Sequence, residues 1–179
     1  MSSENTPLYY YAYGSNLRTA QMAERTGEAV PAGRAALPGH VLAFRKISSD
    51  STGKADIRPT GRAGDRVIGV LFEVTREALA KLDDDERGYD RVPVRVVRED
   101  GPTVEAFTYR AKAHRIDDSL RPSAAYRAQV IDGALEQGLP ADYIDRFLRS
   151  VAVVHLDPQP MTPPSAARTP PRARAQGGR

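Results

Sequence analysis

The sequence predicts an α+β fold, a small mixed or antiparallel β-barrel with helices packed against it. Short β-prone segments dominate the first two thirds of the chain and are joined by links of hairpin length. Two helical segments follow them, and no βαβ unit recurs. The glycine patterns G-x-G-x-x-G and G-x-x-x-x-G-K-[ST] are both absent from the sequence. The sequence therefore disfavours a doubly wound nucleotide-binding fold.

Strands are predicted where apolar and polar residues alternate, or where an apolar run ends at turn-forming residues. Residues 8–13 are rich in tyrosine and end at a Gly-Ser-Asn turn. Residues 50–66, rich in Gly, Asp, Ser and Arg, are predicted as an exposed loop around a short segment near Ile57. The other predicted strands are the two halves of 36–47 around a turn at Pro38-Gly39, the apolar run 67–74, and a hairpin of 91–98 and 104–110.

Helices are predicted where a capping residue precedes apolar residues three or four positions apart. Thr75 caps one such segment, with Leu79 and Leu82 on its inner face. Ser123 opens a longer helix that ends at Gly138. The remaining predictions are a short helix over 17–25 ending at Gly27, a last helix beginning at Pro140, and inward positions Tyr126, Val130, Ile131, Ala134 and Leu135 on the long helix.

Composition excludes several kinds of chemistry. The chain has 179 residues, 40% hydrophobic and 27% charged, and no cysteine, which excludes disulfides, zinc-thiolate sites and a thiol nucleophile. The three histidines lie far apart without metal-ligand spacing, so neither a metal nor a cofactor is predicted. No apolar run approaches the roughly 20 residues that span a bilayer, and the first residues lack the pattern of a signal peptide. We therefore expect a cytoplasmic protein without a membrane partner.

The basic charge is concentrated at the C-terminal end of the chain. The net charge is +3, and the segment 157–179 alone carries the same +3 together with six of the fourteen prolines. Residues 157–179 are predicted to be a disordered tail, residues 1–7 a flexible N-terminus, and residues 8–156 one folded domain. Nucleic-acid binding rests on this tail alone, as salt-sensitive affinity that disappears with it, so no specific nucleic-acid partner is predicted.

Two polar clusters can carry chemistry. At residues 13–16, Tyr-Gly-Ser-Asn, successive backbone N–H groups can converge on a carboxylate or phosphate, although an ordinary strand-ending turn explains the same residues. Residues 83–86, Asp-Asp-Asp-Glu, place four carboxylates at the C-terminal end of a helix, where the macrodipole disfavours them. Mutual repulsion raises the proton affinity of such groups, which suits a carboxylate that exchanges protons. A solvated acidic helix end is the alternative.

Several short segments, each weak as a signal by itself, together indicate one protein family by their order along the chain. Residues 10–17 read YYAYGSNL, 36–44 read ALPGHVLAF, 67–74 read VIGVLFEV, and L-D-x-x-E follows over 82–86. P-S-x-x-Y then covers 122–126, and G-L-P-x-x-Y covers 138–143. These segments resemble the Y-G-S-N-L signature, the second strand pair, the catalytic-acid segment and the closing helices of the γ-glutamylcyclotransferase family. The similarity extends over roughly residues 8–150.

The resemblance implies a six-stranded, barrel-like α+β fold and a cyclising enzyme that needs no cofactor. In its reaction the α-amino group of a small γ-glutamyl amide attacks the γ-carbonyl of the same molecule, giving 5-oxoproline and a free amine or amino acid. Glu86 corresponds to the family's general acid/base. The substrate-binding residues that the resemblance implies are Tyr10, Tyr11, Ala12, Tyr13, Gly14 and Ser15 in the signature loop, Tyr126 at the start of the long helix, and Tyr89.

One local departure from the family pattern bears on the substrate. Family members commonly have a glycine directly after the catalytic glutamate, whereas here Arg87 follows Glu86 and Gly88-Tyr89 come at once. We therefore expect a shortened covering loop, a pocket open to bulky leaving groups, and a cation at Arg87 for an anionic one. A non-catalytic small-molecule-binding domain of the same fold is the alternative function, and a homodimer is left open. By helical spacing alone, Tyr126 is a core residue.

Overall fold

The chain forms seven strands and four α-helices within residues 7–156, the part that this computed structural model describes. The predictions for residues 1–6 and for the tail at 157–179 lie outside the described residues. The strands are β1 (Leu8–Ala12), β2 (Val30–Pro38), β3 (His40–Ile47), β4 (Gly53–Pro59), β5 (Arg66–Val74), β6 (Tyr89–Arg98) and β7 (Thr103–Ala111). The helices are α1 (Thr19–Thr26), α2 (Arg76–Asp85), α3 (Ala124–Glu136) and α4 (Ala141–Ile144), the last continued by a π-helical turn at Asp145–Arg149.

The strands β1, β5, β2, β6 and β7 are hydrogen-bonded in this order and close into a barrel. Most pairs are antiparallel, but β1 runs parallel to β7 where Tyr10 faces Phe107, so the barrel is mixed and the predicted fold class is confirmed. The barrel has five strands rather than six, because β3 and β4 pair with each other in a separate two-stranded sheet. The chain leaves the barrel at Gly39, whose φ of +69° lies in the left-handed region that favours glycine.

The core lies inside the barrel around β5. Val67 and Leu71 on this strand are completely buried, as the apolar run predicts. Tyr11 of β1 crosses the interior, and its hydroxyl donates to the Val67 carbonyl at 2.8 Å. Gly69 allows β1 and β5 to approach, since a Cβ there would lie only 2.2 Å from the Ala12 carbonyl oxygen. The packing of β1 against β5 therefore requires a residue without a side chain at this position.

The helices begin and end close to the predicted residues. The side chains of Thr75 and Ser123 each accept a hydrogen bond from a backbone N–H in the first turn of α2 and α3, respectively. Gly27 ends α1 with a φ of +86°, and α4 follows Pro140 as predicted. The inward position of Leu135 is wrong, because it lies off the buried face of α3 and is 53% exposed. No helix within residues 7–156 is long and apolar enough to cross a membrane.

The prediction of an exposed loop over 50–66 is wrong where β4 forms. Asp56 and Ile57 of this strand are buried. The charged composition is misleading because Asp56 has partners inside the protein: its carboxylate accepts hydrogen bonds from Arg45 Nε at 2.7 Å and from the Ala111 N–H at 2.8 Å. The ion pair joins β3 to β4, and the hydrogen bond from Ala111 to the same carboxylate attaches the hairpin to β7.

We expect Asp56→Ala to lower the free energy of unfolding by about 3–5 kcal/mol, because the Arg45 guanidinium would remain buried without its partner. Urea denaturation followed by circular dichroism measures the change. Asp118→Ala is the matched control, since Asp118 contacts the same guanidinium at 3.5 Å while its side chain is 64% exposed. The control should lose less than about 1 kcal/mol. Equal losses in the two variants would contradict a role for burial of the pair.

Candidate active site

A cavity of about 210 Å³ lies where the end of β1, the end of α2, the β3–β4 hairpin and the first turn of α3 meet. Its wall combines carboxylates, cationic side chains and tyrosines. Such a concave polar surface is suited to a small charged molecule. The residues that line it are Tyr10, Tyr13, Gly14, Ser15, Asn16, Arg25, Lys46, Ser48, Lys54, Asp85, Glu86, Tyr89 and Tyr126.

Glu86 lies directly after α2 and faces this cavity. Its N–H donates to the Leu82 carbonyl at 2.9 Å, and its carbonyl accepts from the Tyr89 N–H at 2.8 Å, so the backbone is fixed on both sides. The helix before it is anchored by the buried side chains of Leu79 and Leu82. The Glu86 side chain remains 15% exposed. The carboxylate is therefore held at the cavity by a packed helix end rather than by a loose loop.

Two side chains from beyond β1 hold the Glu86 carboxylate. Arg25 Nη1 of α1 donates to Glu86 Oε1 at 2.7 Å, and Asn16 Nδ2 donates to the same oxygen at 3.2 Å. Asn16 Oδ1 also accepts from Arg25 Nη1 at 2.9 Å. Both bonds reach Oε1, while Oε2 has no hydrogen-bond partner within residues 7–156. One carboxylate oxygen is thus fixed, and the other is available to a ligand.

The Tyr10 hydroxyl is a second polar group that this network fixes. It accepts a hydrogen bond from Asn16 Nδ2 at 2.9 Å, which leaves its own proton free to be donated. Burial, and next the nearby Glu86 carboxylate, raise the pKa of Tyr10 above its ordinary value. The phenol therefore stays protonated through the neutral range and can act as a donor.

Gly14 brings the main chain close to the hairpin. A Cβ at Gly14 would lie 2.9 Å from the Ala55 Cβ and 3.6 Å from Tyr126 Oη, so a larger residue would push β4 away. Ala55 is held by two tyrosines: its N–H donates to Tyr126 Oη at 3.2 Å, and its carbonyl accepts from Tyr89 Oη at 2.8 Å. The N–H groups of Gly14 and Ser15 donate to no acceptor in the described part of the chain. They are available to an anion.

Comparisons with known proteins agree with this arrangement. The AIG2-like family matches residues 66–147. The γ-glutamylcyclotransferase of Bos taurus is 29% identical over 151 residues, which cover 79% of this chain and 78% of that protein. The Homo sapiens protein of the same name is 29% identical over 149 residues, covering 77% and 76%. A solved structure named γ-glutamyl cyclotransferase has a TM-score of 0.76 at 26% identity, over 86% of this chain and 93% of that chain. The resemblance to the γ-glutamylcyclotransferase family is confirmed.

Most of the residues that the γ-glutamylcyclotransferase resemblance implies come together at the cavity, but Tyr11 and Ala12 do not. Tyr11 points into the barrel toward Val67, and the Ala12 carbonyl lies against Gly69. Neighbouring side chains of a strand point to opposite faces, which directs the Tyr11 side chain away from the face of Tyr10. Ala12 shares the face of Tyr10 but is completely buried and lies outside the cavity lining. The implied residues that do line the cavity are Tyr10, Tyr13, Gly14, Ser15, Glu86, Tyr89 and Tyr126.

The acidic run at the end of α2 has counter-charges and hydrogen-bond donors around it. Asp83 Oδ2 accepts from Arg91 Nη1 at 2.9 Å, and Asp83 Oδ1 accepts from Tyr109 Oη at 2.8 Å. Arg25 Nε lies 4.0 Å from Asp85 Oδ2. These contacts offset the repulsion among the carboxylates. Because they do so, the unfavourable run can persist at the helix end.

Arg87 does not line the cavity, and its expected role toward an anionic leaving group stays a prediction. Its side chain is exposed, and Nε donates to the Asp84 carbonyl at 3.1 Å at the end of α2. Gly88 carries the local constraint instead, since a Cβ there would lie 2.4 Å from Lys46 Cε. The short turn after Glu86 is therefore packed against the hairpin.

Six residues of the cavity wall are absent from the predicted site: Asn16, Arg25, Lys46, Ser48, Lys54 and Asp85. Asn16 belongs to the signature motif, and Arg25 ends the helix that is predicted directly after this motif. A cation at that position, together with the acidic run at 83–86, could have indicated an ion pair between the two helices. The two lysines come from strands whose pairing is not visible in the sequence. Their proximity depends on the register of the hairpin.

The Arg25–Glu86 contact should give a measurable coupling energy. In a double-mutant cycle of Arg25→Met and Glu86→Gln, we expect about 1–3 kcal/mol of coupling in the free energy of unfolding, because the bond is charge-assisted and partly buried. Urea denaturation of the four proteins gives the value. A matched cycle of Arg25→Met with Asp85→Asn, at the longer and more exposed contact, should give less than about 0.5 kcal/mol. Additive effects in the first cycle would contradict the assigned contact.

Proposed function

We propose that this protein is a γ-glutamylcyclotransferase that acts on a small γ-glutamyl amide and releases 5-oxoproline with a free amine or amino acid. The observation that carries the proposal is the Glu86 carboxylate on the cavity wall, which Arg25 and Asn16 fix through one oxygen while the other oxygen has no hydrogen-bond partner within residues 7–156. The relatives that bear this name match more than three quarters of the chain, which supports the same reaction class.

In this proposal Glu86 carries protons from the attacking nitrogen to the leaving nitrogen. It first accepts a proton from the α-ammonium group of the substrate, because only the free amine is a nucleophile. The amine then forms a C–N bond at the γ-carbonyl carbon, and the carbonyl oxygen takes up the negative charge. When the tetrahedral intermediate collapses, Glu86 gives this proton to the leaving nitrogen and the bond to that nitrogen breaks. The second transfer is needed since an amine leaves poorly as an anion. The ring nitrogen then loses the one proton that the lactam does not keep, through the freed Glu86 carboxylate to the released amine, which departs as an ammonium.

The donors around the cavity support a binding mode for the glutamyl part. We propose that the N–H groups of Gly14 and Ser15 bind its α-carboxylate and help to stabilise the oxyanion. The Tyr10 hydroxyl, whose proton is free, is proposed to donate to that oxyanion. Tyr89 and Tyr126 are proposed to contact the substrate from the hairpin side, and Tyr13 from the end of β1 is a further proposed substrate-binding residue.

The reaction places modest demands on the protein, since nucleophile and electrophile belong to one molecule. Well-oriented tethered groups reach effective molarities of about 10⁵–10⁸ M. The protein must fold the substrate so that its amine faces its own γ-carbonyl, and it must hold the proton carrier beside both nitrogens. A carboxylate fixed at a helix end suits the second requirement.

We expect Glu86→Gln to lower turnover of γ-glutamyl amides by about 10²–10⁴-fold, because the amide cannot carry the proton. Substrate binding should change little, since glutamine keeps the shape of the side chain and an oxygen for Arg25. Mass spectrometry of 5-oxoproline, over a panel of γ-glutamyl dipeptides and γ-glutamyl amines, measures turnover. Calorimetry measures binding.

Asp84→Asn is the matched control for this experiment, because Asp84 belongs to the same acidic run but is exposed and lies outside the cavity lining. It should keep the wild-type rate. Near wild-type turnover in Glu86→Gln would overturn the mechanism. Binding of γ-glutamyl amides without 5-oxoproline from any of them would favour the alternative function, a small-molecule-binding domain of the same fold.

A further inference from the structure

Two lysines face each other across the hairpin on the wall of the cavity. Lys46 of β3 and Lys54 of β4 are direct cross-strand partners, and both line the cavity. Like charges at opposed positions of an antiparallel ladder destabilise it. Residues that oppose the local electrostatics of their own element are typical of functional sites.

Lys54 forms an ion pair within the protein, whereas the Lys46 side chain forms none within residues 7–156, although the Glu86 and Asp50 carboxylates lie near enough to favour its charge. Lys54 Nζ donates to Asp50 Oδ2 at 3.2 Å. The Lys46 side chain forms no ion pair or hydrogen bond in this part of the chain, and its Nζ lies 5.0 Å from the centre of the Tyr89 ring. Partial burial, and next the neighbouring Arg115, lower the pKa of Lys46. The Glu86 and Asp50 carboxylates oppose this lowering of the pKa, but burial and the neighbouring cations outweigh them.

Arg115 adds a third cation to this group. An isolated antiparallel bridge between Lys46 and Ile116 brings the Arg115 segment beside β3. Arg115 Nη2 donates to the Ile47 carbonyl at 3.3 Å, but its Nε is buried without a partner among the described residues. Within residues 7–156, Asp50 is the one carboxylate that forms an ion pair with any of these three cations. The hairpin side of the cavity therefore has uncompensated positive charge.

This charge lies next to the proposed proton carrier. Tyr89, beneath the Lys46 ammonium, belongs to the turn that follows Glu86, and its N–H is bonded to the Glu86 carbonyl. The α-carboxylate of the glutamyl part is assigned to the N–H groups of Gly14 and Ser15. Lys46 is therefore available to an anionic group on the leaving amine, the part of the substrate beyond the amide bond that breaks.

We infer that Lys46 is a specificity-determining residue, which selects γ-glutamyl amides whose leaving amine carries an anionic group such as a carboxylate. The inference rests on the proposed function. An anionic leaving amine would supply the direct ion-pair partner that the Lys46 side chain does not have among residues 7–156, with Arg115 reinforcing the attraction. A neutral leaving amine would leave this partly buried cation unpaired, which is unfavourable.

The test compares γ-glutamylglycine with γ-glutamylglycinamide, because their leaving amines differ only in a carboxylate against a neutral amide. We expect the wild type to favour γ-glutamylglycine in kcat/KM by about tenfold or more, the scale of one charge-assisted contact. Lys46→Met keeps the stem over Tyr89 and should remove this preference by lowering kcat/KM for γ-glutamylglycine alone. Arg58→Met, which removes an exposed cation of the same hairpin outside the cavity lining, should preserve it.

Two outcomes would overturn the inference while 5-oxoproline still forms and the proposed function stands. One is equal kcat/KM for both compounds in the wild type. The other is an equal loss toward both in Lys46→Met, since the lysine would then bind the glutamyl α-carboxylate that they share.

Calorimetry on Glu86→Gln repeats the comparison without turnover. Tighter binding of γ-glutamylglycine, lost when Lys46→Met is added, supports the inference even where the wild type forms no 5-oxoproline and only the proposed function fails. Equal or undetectable binding of the two compounds overturns the inference.

Discussion

The contact between Arg25 and Glu86 is the one on which the site depends, because it joins the end of α2 to the helix that follows β1. Asn16 lies between them, bonds to both, and also donates to Tyr10 Oη. A partly buried carboxylate is stable only when it has such partners. The same partners decide which carboxylate oxygen is fixed and which is left without a hydrogen-bond partner among residues 7–156. The fold and the chemistry therefore depend on the same hydrogen bonds.

A second ion pair, outside the cavity, stabilises the β3–β4 hairpin, which forms the cavity wall opposite α1 and α2. The Arg45–Asp56 pair is buried and attaches the hairpin to β7. Ala55, next to it on β4, then meets Tyr89 and Tyr126 through both of its backbone polar groups. Because these tyrosines come from the turn after α2 and from α3, the hairpin cannot shift without breaking contacts to both. The buried pair thereby sets the distance between the two walls.

Local patterns predict most of the fold, and the exceptions depend on distant partners. A cap such as Thr75 acts on the next turn of its own helix, so the sequence shows it directly. Strand β4 is hidden because the burial of Asp56 depends on an arginine in another strand. In the site, Glu86 is predictable because the family motif coincides with a chemical need, whereas Lys46 reaches the cavity only through hairpin register. Tyr11 lies outside the cavity lining, because a motif does not show which face of a strand each side chain occupies, and its substrate-binding role stays a prediction.

This division separates the proposed catalysis from the proposed specificity. Arg25 is bonded both to the proton carrier and to Asn16, so a change at Arg25 disturbs stability and proton transfer together. The Lys46 side chain forms no hydrogen bond within residues 7–156, and it lies over the Tyr89 ring, whose hydroxyl is already bonded to the Ala55 carbonyl. A substitution at Lys46 can therefore alter the preferred leaving amine at small cost to the fold. The hairpin is for this reason the element through which a protein of this architecture can acquire a new substrate while the β1, α1 and α2 side keeps the reaction unchanged.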